Sequence, residues 1–587
     1  MTATHVHLAL QAAARAHAQR IAITAIDEPE PGVPLRHWTY TELMARVNQA
    51  ANLLHALGGG SAPRVALLLP PTPEAHVALW AAETAGTACP INHQLGASHI
   101  ADLVNACGAS ILVALGPAPD LPIWPQVDAV LAACPGLRHV LAVPCAPNAT
   151  LPPGVRHFVT ESATYRADGL DFTLPAAPLA ALFHTGGTTG APKLAQHTHA
   201  NQLHAAGGAA AMFGTRPEDV MLSGFPLFHV AGSFVYGLST LMSGAQLVLP
   251  TRLGLRNTGF MARYGDYTEQ LGITLMAAVP TVIASLLSLP LQAAQFRRVR
   301  ALLTGGSPLP TELAAGFEER FEVPVRNILG MTESAGVICI EPVDGPRTPG
   351  SCGLPLPGTE VKAVRPDGTP AGPGEPGILR VRGPNVSPGY TDPARNAGTF
   401  EDGWLISGDI GHLDEAGRVY VTGRSKDVII RGAHNIDPGM IESALLRHPD
   451  VLMAAAVGQP DAYAGELPVA FVSLKPGAQV DAQALAAFAA PYIPERPAMP
   501  KRVDVLPAIP TTAVGKVYKP ALRALATQRL LEEQLTAAGL PAEAVRVEVL
   551  DTAAGLQVQF HLAAPDTEAA VRRLMQPYPL AYRCLTT

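Results

Sequence analysis

An α/β fold is predicted, built as a large N-terminal α/β body of several subdomains, a small α+β C-terminal domain and an extra C-terminal helix–hairpin–helix segment. Three observations predict it. Apolar strand-like runs alternate with helical stretches through the first half of the chain, as in layered α/β proteins. From Gly345 to Gly389 the texture turns Pro- and Gly-rich with short β pieces. Beyond Gly423 a compact mixture of strand and helix patterns begins, followed by a separate pair of alternating runs.

The elements follow in order. Thr41 is placed to cap a helix carrying Leu43, Val47, Leu53, Leu54 and Leu57, which Gly58-Gly59-Gly60 ends; a hydroxyl before the first apolar turn and glycine after the last are the usual stop and start signals. Val65 to Leu69 is a buried strand stopped by Pro70-Pro71, and a helix follows from about Glu74 to Glu83. Repeated alternation of this kind leaves strands covered on both faces. Gly377 to Val381 belongs to a small β-rich subdomain with turns,.

The small domain holds strands at Val451–Val457, Val469–Leu474 and Val503–Val505, with a helix at Asp481–Ala490. In the last segment Val545, Val547 and Val549 alternate. After Gly555, Leu556, Val558, Phe560 and Leu562 do the same, a hairpin between two helical stretches. The predicted units are therefore 1–424, 425–525 and 526–587, with no internal repeat of fixed period. The terminal hairpin offers an edge for pairing, so a homo-oligomer is allowed.

At 587 residues the chain carries roughly three to four domain-sized units. With 48% hydrophobic and 15% charged residues it is globular rather than disordered. A net charge of -7 excludes a global basic field for nucleic acid, though a local patch can still bind the phosphates of a small ligand. Apolar runs such as Val65 to Leu69 fall far short of the ~18–20 residues that span a bilayer. Met1 to Arg20 reads as a short amphipathic helix rather than a signal peptide, and the cytoplasm is the expected address. The seven cysteines are scattered without metal-ligand spacing and read as reduced thiols, mostly in cores.

The strongest chemical signal is Thr185-Gly186-Gly187-Thr188-Thr189-Gly190-Ala191-Pro192-Lys193, entered from the apolar run Leu179 to Phe183. Its glycines let backbone N–H groups fold close to an anion. Three threonine hydroxyls and a lysine add donors, a composition suited to the polyphosphate of ATP. The lysine stands three places after the last glycine, unlike the other common nucleotide loop.

This segment resembles the phosphate loop of adenylate-forming enzymes: acyl-CoA synthetases, firefly-type luciferases and peptide-synthetase adenylation domains. The usual second residue of that loop is Ser, and Gly186 stands here instead, one hydroxyl fewer. Further motifs follow in the family's order, so that the chain resembles the acyl-CoA synthetase branch over roughly residues 35 to 525.

Pro226-Leu227-Phe228-His229 is similar to the segment near the acyl pocket, giving His229 a pocket role. Thr304-Gly305-Gly306-Ser307-Pro308-Leu309 resembles the loop whose backbone lies along adenine, where Gly305 and Gly306 permit close approach and Ser307 is a further nucleotide-binding candidate. Asn327 to Glu333 resembles the segment ending in Gly330-Met331-Thr332-Glu333. The resemblance implies that Thr332 donates to the α-phosphate and that Glu333 helps hold Mg²⁺. Leu329 occupies the place of an aromatic residue that stacks on adenine, which implies plain apolar contact.

Trp404 to Asp409 is similar to the motif whose aspartate accepts from the ribose hydroxyls, both carboxylate oxygens engaging a vicinal diol. Arg424 matches the second ribose contact and Lys426 the hinge between large and small domains, which implies that the small domain is mobile. Gly432, in Arg431 to Ile436, matches the loop that turns into the site for thiol transfer and leaves room for a pantetheine arm. Pro510 to Lys516 closes the series, with Lys516 at the position of the catalytic lysine that meets carboxylate and α-phosphate together.

The resemblance implies a ligase that uses ATP, Mg²⁺ and CoA. A carboxylate attacks the α-phosphorus to give an acyl-adenylate and pyrophosphate. The small domain then turns about Lys426, and a thiol releases AMP. Phe234 to Met242 is generically apolar and favours a fatty or other apolar acid. Two alternatives stay open: an adenylate-forming enzyme that loads a carrier protein instead of CoA, and a non-catalytic nucleotide-binding scaffold. Residues 526–587 have no functional account.

Overall fold

The computed structural model describes residues 4–145, 150–153, 155–176, 179–185, 193–424, 426–432, 434–493, 495–552, 555–578 and 580–586. Among them the sheets have nine, seven, five, five and three strands.

Periodicity explains why the largest sheet is covered on both faces. Along Gln246–Leu249, Leu275–Ala278 and Ala301–Gly305, successive apolar side chains point to opposite sides. Leu247, Leu275, Ala277 and Leu303 join one core, while Val248, Met276 and Leu302 join a second core with Phe260, Phe296 and Phe317. The inner strands of this sheet pair in parallel, from Ile21–Ala25 through Val325–Leu329. The seven-stranded sheet is built the same way around Arg64–Leu68, Thr87–Pro90, Ile111–Leu115 and Leu179–His184. Val65, Leu67, Val113 and Leu182 of that sheet enter the first core, so one body holds both sheets. Parallel strands deliver their carboxyl ends to a common crevice. His184, Gly305 and Leu329 all end strands there.

The first long helix is Tyr40–Leu57, and its cap is Thr39 rather than Thr41. Thr39 and Glu42 form a reciprocal capping box, which satisfies two terminal N–H groups at once. Thr41 donates instead to Ala18 O at 2.9 Å. Tyr40 decides the register, because its ring is buried and its hydroxyl donates to Leu241 O and Ala245 O at 2.9 and 2.6 Å. The next helix is Pro73–Ala85, and the two pack together. The N-terminal helix runs Val6–Ala16 and buries His7 with Val6 and Leu10.

The β-rich piece continues past Gly389. Its five strands lie between Glu360 and Arg424, with Trp404–Leu413 central, around a core of Ala363, Leu379, Val381 and Leu405. The small domain follows. Its strand Val451–Asp461 is longer than the periodicity predicts and pairs antiparallel with Gly465–Leu474. Asp481 caps the helix Ala482–Ala489 by accepting from Ala484 N at 2.7 Å.

The helix Lys519–Ala537 crosses the predicted boundary at 525/526. Leu522 and Ala526 pack on the small domain's Val457, Val469 and Phe471; Leu531 and Leu535 pack on the terminal strands. The small domain and the extension therefore share one rigid element. A strand absent from the helix–hairpin–helix pattern, Ala581–Thr586, pairs parallel with Gly555–Leu562 and occupies that hairpin edge. Among the described residues no helix is long and apolar enough to cross a membrane.

Candidate active site

The antiparallel strands Leu179–His184 and Leu194–Thr198 form the neck of the Gly/Thr-rich loop. Thr185 N donates to Lys193 O at 3.0 Å and closes it. Gly186, Gly187, Thr188, Thr189 and Gly190 lie outside the described residues. Lys193 is exposed, with its Nζ 5.5 Å from the Tyr390 ring centroid, a cation–π distance.

Tyr390 is held against the same neck. Gln196 N donates to Gly389 O and Thr391 N to Leu194 O, each at 3.0 Å. Its hydroxyl donates to Glu333 Oε1 at 2.5 Å, and burial together with the Glu333 charge raises the phenol pKa. One tyrosine thus joins the lysine of the loop, on the seven-stranded sheet, to a carboxylate that follows a strand of the nine-stranded sheet. Sequence reasoning missed Tyr390; the Pro388-Gly389 turn before it was the available signal.

Glu333 sits in a tight turn, Thr332–Ser334, directly after the strand Val325–Leu329. Gly330 is required there, because a Cβ would meet Gly336 O at 2.0 Å. Ser334 Oγ accepts from Met331 N at 3.2 Å and fixes the turn. Thr332 and Met331 are half-buried, and Met331 and Leu329 pack on the core of the β-rich subdomain.

Glu333 is buried, and its Oε2 has no protein partner among the described residues. Those residues contain no group of three or more His, Cys, Asp or Glu able to hold a metal ion. A lone carboxylate oxygen fits Mg²⁺ shared with phosphates and water, the usual arrangement for this reluctantly dehydrated ion.

The next strand, Ala301–Gly305, ends against its neighbour so closely that a Cβ on Gly305 would meet Ile328 O at 2.5 Å. Gly306 then turns the chain at φ +86°, and a Cβ built on it would stand 2.7 Å from Lys516 Cε and 3.1 Å from Nζ. Ser307 beside it is half-buried.

Lys516 reaches this place on a clamped turn. Thr512 N donates to Lys516 O at 2.7 Å and Lys516 N to Thr512 Oγ1 at 3.2 Å. Thr281 of the large body donates to Gly515 O at 2.8 Å. Burial, reinforced by the Arg424 charge and opposed by Asp409, lowers the Lys516 pKa to about 8.

Asp409 and Arg424 face each other across paired strands, with Arg424 Nε donating to Asp409 Oδ1 at 2.8 Å. Asp409 is only 2% exposed. Burial raises its pKa, and the Arg424 guanidinium works against that rise.

His229 is half-buried and accepts from Ala231 N through Nδ1 at 3.2 Å. Burial first, then the charges of Lys516 and His184, lower its pKa to about 3. His184 is a second residue that sequence reasoning passed over, although it directly precedes Thr185.

Gly432 and Lys426 lie elsewhere. Gly432 is exposed at φ +59° with nothing near its Cα face, and its N–H donates to Ala464 O at 2.7 Å. Lys426 is exposed. The structure therefore joins Lys193 with Glu333, and Gly306, Lys516, Asp409 and Arg424 with one another, while the Gly432 turn faces outward.

The description "AMP-binding enzyme" belongs to the family whose sequence pattern matches residues 10–391, and that of the "AMP-binding enzyme C-terminal domain" matches residues 440–516. The marinolic acid–CoA ligase of Pseudoalteromonas sp. (strain SANK 73390) is 35% identical over 520 residues, covering 86% of this chain and 78% of that protein. The feruloyl-CoA synthase of Amycolatopsis sp is 32% identical over 489 residues, covering 83% and 93%. The crystal structure of ATP-bound MatB from Rhodopseudomonas palustris superposes with a TM-score of 0.75 at 27% identity, covering 88% of this chain and 98% of that one.

Proposed function

We propose, on the premise that this chain belongs to the AMP-binding enzyme family, that it joins a carboxylic acid to CoA through an acyl-adenylate. The observation that carries this reading is Lys516, delivered from the small domain onto Gly306 beside the Asp409–Arg424 pair.

In the first half-reaction two anions must meet, the substrate carboxylate and the α-phosphate. Lys516 supplies a cation at their junction, where burial strengthens its field. Asp409 receives the ribose hydroxyls with Arg424 beside it, and the Gly305–Gly306–Ser307 backbone lies along the base. Thr332 donates to the α-phosphate. The Thr185–Lys193 loop holds the leaving pyrophosphate. Glu333, steadied by Tyr390, would hold Mg²⁺ through a carboxylate oxygen, and the ion would supply charge that offsets that of the phosphates. His229 stands by the acyl group. Holding both reactants in one site removes much of the entropic barrier.

For the second half-reaction the unit 425–525 turns about Lys426, carrying 526–587 with it on their shared helix. Lys516 withdraws and the Gly432 turn comes to the site, its missing side chain leaving room for a pantetheine thiol. CoA as acceptor is supported by the relatives' names.

An apolar acid is supported by the π-helical turn Ala231–Leu238 that follows His229, with Phe234 and Val235 buried in it. A panel of decanoate, benzoate, ferulate and acetate with ATP, Mg²⁺ and CoA tests the proposal. AMP release is expected with at least one acid and only when CoA is present for turnover. AMP release that is indifferent to every acid, with no acyl-CoA formed, rejects it.

A further inference from the structure

Residues 526–587 take no part in the chemistry proposed above, yet they fold around a core of their own. The strands Val545–Thr552, Gly555–Leu562 and Ala581–Thr586 make a three-stranded sheet in that order. Leu531, Leu535, Val571 and Met575 of two helices cover one face, packed on Val545, Val547 and Val549 among others. Alternation puts Arg546, Glu548 and Leu550 on the opposite face, where Arg546 and Leu550 are exposed.

Val545–Thr552 is an edge strand, and its free side is unguarded. It is eight residues long, holds neither Pro nor Lys, and pairs with Gly555–Leu562 without a register shift. Short length, proline, lysine and bulges are the usual devices that keep such an edge from pairing.

The backbone is turned to accept a further strand. Ala563 N donates to Ala544 O at 3.0 Å, so that carbonyl points into the sheet. Backbone direction alternates along a strand, hence Val545, Val547 and Val549 aim their N–H and C=O groups outward. Pro541 O takes the Val545 N–H at 3.1 Å. The groups of Val547 and Val549 meet no backbone partner on that side among the described residues.

Charge decides what fits. Residues directly opposite in an antiparallel pair share a face, so a two-fold pairing of this strand with itself centres on one residue. Centring on Arg546 or on Glu548 sets like charges opposite. Only Val547 as the centre sets Arg546 opposite Glu548 of a second copy, and symmetry repeats the pair. The two Val547 residues then exchange both backbone bonds, and the charges fall at a non-hydrogen-bonded pair, where side chains approach most closely. Arg546 has no protein partner among the described residues, while Glu548 Oε2 lies 3.5 Å from His561 Nε2 on the neighbouring strand. The opposite edge, Ala581–Thr586, carries a single charge, Arg583, and no self-pairing gives it an opposite one.

We propose that Val545–Thr552 is a dimerisation edge, pairing antiparallel about Val547 with the same strand of a second copy to make one continuous sheet. The helix Lys519–Ala537 packs on the small domain and on this sheet alike, so the join links small domain to small domain.

Sedimentation velocity of the full chain over a micromolar dilution series tests this, and a dimer is expected. Arg546→Glu and Glu548→Arg each set like charges opposite, and each should raise the dissociation constant on the order of tenfold. The variant carrying both exchanges restores opposite charges in the same register and should regain most of the affinity. Arg583→Glu, on the other edge, should change nothing.

A wild-type chain that stays monomeric through the series overturns the proposal. So does a dimer indifferent to both single reversals, or one weakened by Arg583→Glu, since either puts the contact elsewhere. A loss that the doubly exchanged variant fails to recover also overturns it, because the two charges would then not face each other.

Discussion

Lys516 and Gly306 touch across the two domains: the lysine side chain lies where a Cβ of residue 306 would be, 2.7 Å from Cε. The large body has left out a side chain at the point where the small domain inserts one. Gly306 is also in the left-handed region, φ +86°, which costs any other residue about 1 kcal/mol.

Gly306→Ala is therefore expected to push the ammonium off its position. A displacement of that order costs on the order of a hundredfold in a positioned reaction. Pyrophosphate exchange should fall by that much, while thiol transfer from a supplied acyl-adenylate should proceed as in the wild type. Equal loss in both steps would place the contact outside the first half-reaction.

The Lys516 pKa of about 8 predicts a descending limb in the pH profile. In the role proposed for Lys516 the cation is the useful form, so the exchange rate measured as kcat/KM should fall as pH rises through about 8. Arg424 is a cause of the depression, so Arg424→Gln should move that limb to higher pH. For stability the sign is opposite. A lysine depressed below its free value is a burden at neutral pH that is relieved between about 8 and 10.5.

Tyr390→Phe removes the hydroxyl that donates to Glu333 Oε1 and leaves the ring under Lys193. A hydrogen bond to a charged group is worth about 1.5–3 kcal/mol. Glu333 should be less well aimed, and the Mg²⁺ concentration for half-maximal exchange should rise on the order of tenfold. The melting temperature is expected to stay near that of the parent. An unchanged Mg²⁺ titration would show that Glu333 needs no help.

Acid should loosen the N-terminal helix. The rings of His5 and His199 lie with centroids 3.5 Å apart, tilted by 33°, and Val6 N donates to His199 Nδ1 at 3.5 Å. Burial lowers His5 and His7 to about 4 and His199 to about 3. Between about pH 6.5 and 4 the unfolded chain binds protons that the folded one refuses, so stability declines as pH falls through that window. The melting temperature should drop on the order of 5–10 °C from pH 7 to pH 5. His5→Asn keeps a capping acceptor and should flatten the slope.

Local chemistry was legible where a residue type alone carries the constraint. The buried strand at Val65 to Leu69 and the close approach at Gly305–Gly306 follow from apolar runs and from the absence of a side chain. Thr39, two positions from a second suitable hydroxyl at Thr41, was not distinguishable by pattern. The choice was made by Tyr40, whose hydroxyl finds its acceptors some two hundred residues away. The strand Ala581–Thr586 was invisible for a similar reason, since parallel pairing with Gly555–Leu562 is a long-range event with no turn to announce it.

The amino-acid order by itself determined which groups the proposed chemistry can draw on and in what succession: the glycines, the Thr185–Lys193 donors, Glu333, Asp409, Arg424 and Lys516. Only the tertiary structure decided their partners. It set Tyr390 between Lys193 and Glu333 and seated Lys516 on Gly306. The physical reason is that donor, charge and bulk are properties of a residue, whereas the direction of a hydrogen bond and the cost of a buried charge belong to what surrounds it.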